Sequence, residues 1–262
     1  MPESSSRMPT AFIGHGTPMN ALERNRHTDS WRGFGASVTK PKAILVISAH
    51  WYTRGVGVTA MEVPKTIHDF GGFPQALFDM QYPAPGDPRV ALRVRELLAP
   101  LNVQLDQNWG LDHGTWSILV HMFPEAKIPV VQLSIDATQP PQFHYDLGKQ
   151  LNLLREEGVL ILGSGNAVHN LGVMRREQHA AAYEWASTFN NQVKVCLHNR
   201  DHAPLVNYTS FGEPARLSIP TPEHYLPMLY ILGMQQSDDR LSILTDGIDL
   251  SSISMLSFAI GP

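Results

Sequence analysis

The chain has 262 residues, 43% of them hydrophobic, and a formal net charge of -4. That length and apolar content suffice for one large α/β core, while the small charge and scattered basic residues exclude a nucleic-acid surface and leave a small molecule as the expected partner. A single cysteine, Cys196, excludes an internal disulfide framework and a thiolate-rich metal site, and suits a reducing cytoplasm.

Residues 1–8 lack an apolar signal segment, and no run approaches the roughly 20 apolar residues of a membrane span. The first element, Ala11-Phe12-Ile13, runs into Gly14-His15-Gly16-Thr17-Pro18. Residues 20–35 are polar and mixed, with Trp31 and Phe34 placed to pack a short helix or loop. Ala43-Ile44-Leu45-Val46-Ile47-Ser48-Ala49 is an unbroken apolar run ending at His50-Trp51. A continuous run, as opposed to an alternating one, predicts a strand covered on both faces. Residues 55–61 read as a further strand and His68-Asp69-Phe70-Gly71-Gly72-Phe73-Pro74 as a loop.

Asp87-Pro88 opens a helix with a capping acceptor followed by proline, and Val90, Leu92, Val94, Leu97 and Leu98 supply its apolar side. Val103 and Leu105 mark a short strand before Asp112-His113-Gly114, and residues 118–122 read as helical. Residues 128–135 form another core strand and residues 142–157 a helix closed by Gly158. Val159-Leu160-Ile161-Leu162 then delivers Gly163-Ser164-Gly165-Asn166-Ala167-Val168-His169. A long helical pattern covers 180–198, and an apolar helix at 228–232 follows Pro222-Glu223-His224-Tyr225. Residues 241–244 and 254–260 flank an Asp246-Gly247 turn as strands. This alternation predicts an α/β fold with one domain over residues 1–262. Its central sheet is mixed but mainly parallel and is covered by helices, with antiparallel strands near the C-terminus. No repeat or linker divides the chain, and no feature specifies an oligomeric state.

Of the twelve histidines, His27, His144, His179, His198 and His202 lie in polar or helix-surface settings and are expected in solvent. His121, after Ile118-Leu119-Val120, is expected to pack within a helix. His15, His50 and His169 differ, because each follows a buried strand beside small residues that let backbone or ligand approach closely. In open α/β sheets the ligand crevice lies beyond the carboxyl ends of the strands. Singly, each reads as well as a satisfied core histidine; together they point to one metal or catalytic site. His224 stands ahead of an apolar helix, whose N-terminal end disfavours a protonated ring. Imidazole donors, with or without a carboxylate, suit zinc and non-haem iron(II) alike. Gly163-Ser164-Gly165 lacks the third glycine of a dinucleotide loop, and Asp69-Phe70-Gly71 matches the kinase tripeptide without its lysine contexts.

The motifs Gly-His-Gly-Thr-Pro (14–18), Ser-Ala-His-Trp (48–51), His-Asp-Phe-Gly-Gly-Phe-Pro (68–74), Asp-His-Gly-Thr-Trp (112–116), Gly-Asn-Ala-Val-His-Asn-Leu (165–171) and Pro-Glu-His-Tyr (222–225) occur in that order. With them the chain resembles the class III extradiol ring-cleaving dioxygenases, in particular the DOPA 4,5-dioxygenase subgroup. The resemblance implies metal-dependent insertion of O₂ into a DOPA-like or related catechol, opening the ring beside its two hydroxyls to a semialdehyde. It implies His15, His50 and His224 as metal ligands and His169 as an acid/base close enough to ligate in some states. His113 is implied as a group that hydrogen-bonds substrate or oxygen.

Better-known class III enzymes use glutamate as third ligand; here His224 takes that place and Glu223 is expected to face elsewhere. Iron(II) is expected for activity because the chemistry is redox, although zinc fits the same histidines in isolated protein. A neutral His169 accepts a catechol proton near pH 7 because the ordinary imidazole pKa lies close by. Phe70, Phe73 and Trp51 are candidate walls for the substrate ring, with core packing as the competing role. A zinc-dependent hydrolase and a non-catalytic binding protein are the alternative readings, and the full set of five histidines argues against a degenerate site.

Overall fold

The run that begins at Ala43 becomes the strand around which the sheet is built. A computed structural model describes residues 7–177 and 180–262, so His179 lies outside the described residues. Its strands are β1 (Thr10–Gly14), β2 (Ala43–Thr53), β3 (Val56–Thr59), β4 (Val103–Asp106), β5 (Val130–Asp136), β6 (Val159–Gly165), β7 (Arg240–Thr245), β8 (Ile248–Asp249), β9 (Ile253–Ser254) and β10 (Ser257–Gly261). Eight form one sheet in the order β4-β3-β5-β2-β6-β1-β10-β7, and β8 pairs with β9 alone. The centre is parallel, β2 pairing with β5 and β6, and β6 with β1. The expected antiparallel strands appear where β10 joins β1 and β7. One more lies outside the C-terminal region: β3 is antiparallel to β5. Gly55, at φ 81, lies in the turn that reverses the chain directly after β2.

The longer helices are α1 (Arg26–Ser37), α2 (Pro88–Leu97), α3 (His113–Met122), α4 (Pro141–Leu151), α5 (Glu184–Asn199) and α6 (Leu226–Gly233). Alternate residues of β2 explain its continuous apolarity. Ile44 and Val46 pack with Trp31 of α1 and Trp116 and Leu119 of α3, while Leu45 and Ile47 join the opposite cluster with Leu147, Val193 and Leu229. Both faces are therefore covered, as a strand of this composition requires. The segment around 20–35, expected as a short helix or loop, is the twelve-residue α1. The Asn25 side chain caps the backbone N–H groups of His27 and Thr28, and Thr28 Oγ1 accepts from Asn25 N–H. Helix α3 begins at His113, earlier than expected, because Asp112 accepts from the Thr115 N–H. The helix expected over 142–157 breaks after Leu151 into a short turn of helix at Leu153–Glu156, and the pattern from 180 becomes helical only at Glu184. No helix among the described residues is long and apolar enough to cross a membrane.

Arg155 is fully buried. It donates to the Met8 carbonyl at 2.8 Å, the Met234 carbonyl at 2.9 Å and both oxygens of Asp239 at 2.8 and 2.9 Å. This clamp ties the approach to β1 to the approach to β7. Asp239→Ala strands a buried guanidinium and is expected to cost about 3–5 kcal/mol, read from urea unfolding of wild type and variant. A loss below about 1 kcal/mol, the scale of an exposed pair, would show that the clamp is dispensable.

Candidate active site

Five of the histidines meet beyond the carboxyl ends of β1, β2 and β6. His15 follows β1, His50 lies near the end of β2, His169 follows β6, His113 opens α3, and His224 precedes α6. The β2–β5 ladder breaks at this point: between the pairs Ile47↔Leu133 and Tyr52↔Ile135, residues 48–51 stand opposite Ser134 alone. Such a bulge re-aims a side chain at a strand end, here His50. His15 is held by its own backbone, with N–H donating to the Gly165 carbonyl at 3.1 Å and C=O accepting from Asn20 Nδ2 at 2.9 Å. A Cβ at Gly165 would collide with the His224 carbonyl, which instead accepts the Asn166 N–H at 2.8 Å. The glycine-rich end of β6 thus makes room for the His224 turn.

Hydrogen bonding orients the rings. Ser164 Oγ donates to the Gly114 carbonyl at 2.5 Å, so at 2.9 Å from His15 Nδ1 it acts as the acceptor. That leaves His15 Nε2 bare. His50 Nδ1 faces Asp69 Oδ2 at 3.3 Å, and His224 Nδ1 faces Glu223 Oε1 at 3.2 Å. His50 Nε2 and His15 Nε2 stand 3.3 Å apart. Asp69 Oδ1 accepts the His113 backbone N–H at 2.9 Å and lies 3.0 Å from His113 Nδ1 in a bent contact.

One nitrogen each of His15, His50 and His113 fall within 4.8 Å of one another, as do donor atoms of His169, Glu223 and His224. Ring centroids of His224 lie 5.4 Å from His15 and 5.0 Å from His50, which joins the two groups. His169 stacks on His224 at 3.4 Å with 9° between planes. Glu223, expected to face elsewhere, turns toward His224 because the imidazole N–H needs an acceptor in a buried site.

Burial dominates the electrostatics. It holds His15 and His224 well below the ordinary imidazole pKa, and the neighbouring rings push the same way. His50 falls to about 3, through burial and then His113, with Asp69 opposing. His169 falls to about 4, through burial with Glu223 opposing. These rings are neutral at pH 7, with lone pairs available. Burial pushes the Asp69 carboxyl up, but the bond and charge interactions with His113 and His50 outweigh it and hold Asp69 at about 2. Beneath the rings, Asp112 is fully buried and accepts from Ser48 Oγ and Gln132 Nε2, both at 2.7 Å. Full burial, and next the charge of Asp69, raises its pKa.

The candidate walls divide. The Phe70 ring lies 5.5 Å from His113 and 5.4 Å from Phe73. Trp51 stacks on the half-buried Trp109 at 5.6 Å and 5°, and a Cβ on Gly57 would meet its ring. Two histidines expected in solvent are buried. His27 pairs with Thr245 Oγ1 at 2.6 Å and His144 with Tyr230 Oη at 2.9 Å. His202 is half-buried against Tyr145 Oη at 3.0 Å, and His198 is exposed. His121 is buried in α3, as expected, with Nε2 bound to the Asn20 carbonyl at 2.7 Å.

Residues 9–260 match the family model described as the catalytic LigB subunit of aromatic ring-opening dioxygenase. The chain belongs to the LigB family. It is 52% identical to the Escherichia coli (strain K12) 4,5-DOPA dioxygenase extradiol, over 98% of this chain and 96% of the relative. Identity to the Beta vulgaris protein of the same name is 38%, over 95% of each chain. A crystal structure of an uncharacterized Escherichia coli K12 protein superposes with TM-score 0.86 at 47% identity, covering 97% of this chain and 100% of that one. This LigB protein is thus an extradiol dioxygenase with a mixed eight-stranded sheet.

The LigB site also contains groups to which the sequence alone assigned no role: Ser164, Asp69, Asp112, Gln132 and Glu223 as partners of the histidines or of the helix that carries one. Asp69, Asp112 and Glu223 had a legible signal, since each is a carboxylate one residue from a histidine inside a motif. The donor set fits a divalent cation. Two neutral imidazoles with Nδ1 engaged elsewhere direct bare Nε2 lone pairs at each other, an arrangement that a shared cation stabilises.

Proposed function

We propose that this LigB enzyme, read as one catalytic domain over residues 1–262, opens the ring of a DOPA-like or related catechol with O₂ to give a semialdehyde. In this reading His15, His50 and His224 hold iron(II). The observation that carries it is the engagement of all three Nδ1 atoms, by Ser164, Asp69 and Glu223, in rings that crowd one point. Iron(II) bound there supplies open positions for catechol and O₂ and a redox route between them, which zinc lacks.

The chain's own groups do the rest. His169, kept neutral by burial, accepts a hydroxyl proton from the catechol. It is stacked beside the ligand set, close enough to join it. His113 hydrogen-bonds the substrate or oxygen, held by Asp69 at its backbone N–H. Phe70 and Phe73 wall the ring on the His113 side. A cytoplasmic setting belongs to the same reading and accords with the single free, buried Cys196.

The test is metal-free protein loaded without air with iron(II) or with zinc, then given O₂ and a panel of catechols including DOPA. A yellow semialdehyde is expected with iron alone. Product with zinc alone, or none with iron on any catechol, would overturn the reading. Hydrolysis of an ester panel by the zinc form would favour the hydrolase that the same histidines allow.

A further inference from the structure

We infer that Asp69 is a positioning residue that sets the tautomer and orientation of His50 and His113 together, through one carboxylate shared between their Nδ1 atoms. The inference rests on the metal-site reading above and extends it from the ligands to the group that aims two of the site's rings. Asp69 Oδ2 lies 3.3 Å from His50 Nδ1, and Oδ1 lies 3.0 Å from His113 Nδ1 in a bent contact, so the carboxylate acts on both rings through its charge and not through a straight hydrogen bond. The two rings touch, with centroids 3.8 Å apart. A carboxylate only accepts hydrogen bonds, and a neutral imidazole carries a single N–H. Facing one oxygen to each Nδ1 therefore favours the proton on Nδ1 in both rings and leaves both Nε2 atoms bare. For His50 that bare atom is the one 3.3 Å from His15 Nε2.

The carboxylate is itself fixed. Its side chain is 18% exposed, and its loop is tied to the segment that leads into α3. Ile67 N–H donates to the Leu111 carbonyl at 2.7 Å, Leu111 N–H to the Lys65 carbonyl at 2.8 Å, and Trp116 Nε1 to the Ile67 carbonyl at 2.8 Å. Oδ1 also accepts the backbone N–H of His113 at 2.9 Å. Asp69 is thus anchored to the helix that carries His113 and reaches across to the strand that carries His50, so the geometry of one ring is referenced to the other.

An asparagine at this position would not be equivalent, although it has the same shape. Its amide offers one acceptor and one donor, so the ring facing the NH₂ must move its proton to Nε2 or turn away. Asp69→Asn therefore separates aiming from packing. The experiment uses full-length, ¹⁵N-histidine-labelled protein loaded with zinc, which is diamagnetic. Zinc affinity is measured by chelator competition, and histidine tautomers by two-bond ¹H–¹⁵N spectra, for wild type, Asp69→Asn, Asp69→Ala and His50→Ala. Asp69→Asn is expected to bind zinc about 10–100-fold more weakly, the usual range for a group behind a ligand, with an unchanged unfolding temperature and an altered tautomer signal for one ring. Should Asp69→Ala fail to fold, Asp69→Asn carries the test alone. Zinc affinity within about twofold of wild type, with unchanged tautomer signals in Asp69→Asn, overturns the inference. His50→Ala separates the two levels: if it loses zinc while Asp69→Asn does not, only the role of Asp69 falls. If His50→Ala also binds zinc as wild type does, the metal-site reading falls with it.

Discussion

Replacing His15 or His50 with alanine is expected to remove bound metal and turnover together, each by more than the roughly 10–100-fold that loss of a group behind a ligand produces. Both side chains are carried on fixed backbone. His15 is 1% exposed, and its backbone is bonded on both sides to Gly165 and Asn20. His50 sits in the four-residue bulge of β2, between the fixed pairs Ile47↔Leu133 and Tyr52↔Ile135. In the proposed site each alanine leaves two of three ligands and opens a gap beside an imidazole that burial keeps neutral. Metal content after reconstitution, measured beside circular dichroism to confirm the fold, checks the outcome. Full occupancy with wild-type turnover in either variant would remove that residue from the site.

His169→Ala is expected to separate what the first two variants join: metal retained, turnover reduced about 10²–10⁴-fold at saturating substrate. The ring lies beside the proposed ligands, stacked flat on His224, and the Nδ1 contacts of His15, His50 and His224 are to other residues. Its backbone is pinned independently, with N–H donating to the Ser218 carbonyl at 2.8 Å and a bridge to Ile253. Alanine removes the imidazole without releasing the chain. Because burial lowers the ring to about pKa 4, it is already in its proton-accepting form across the neutral range. His113→Ala should be milder if that residue steadies one hydrogen bond. Rate at saturation and metal content, measured on the same preparation, decide the matter. A metal-free His169→Ala protein would make this residue a ligand, and an undiminished rate would make it a bystander.

The parts of this molecule that the sequence made legible are those whose cause is local. The run from Ala43 announces a strand buried on two faces because both of its alternate sets are apolar, and the structure packs them into two separate clusters. The strand-end histidines stand out because small residues punctuate them. What stayed hidden depends on partners far along the chain. His27 and His144 looked solvent-facing, since Thr245 and Tyr230, which bond their buried Nδ1 atoms, lie 218 and 86 residues away. The stack of Trp51 on Trp109 was hidden in the same way. Helix α1 was obscured by its polar composition, although the Asn25/Thr28 capping pair was present in the sequence as a start signal. Ser164, dismissed with its glycines as a dinucleotide loop, is the acceptor for His15.

The placement of β1 between β6 and β10 bears on how the protein is made. The first strand of the sheet to leave the ribosome has as its neighbours residues 159–165, paired from Thr10↔Ile161, and residues 257–261, paired from Thr10↔Ile260. The sheet's earliest strand is thus completed by the one synthesised latest. Until β10 arrives, one backbone edge of Thr10–Gly14 has no partner, and an unpaired apolar edge is the feature through which partly made chains aggregate. His15 follows that strand, so the nascent chain carries its earliest site residue beside an unpaired edge until residues 257–261 close over it.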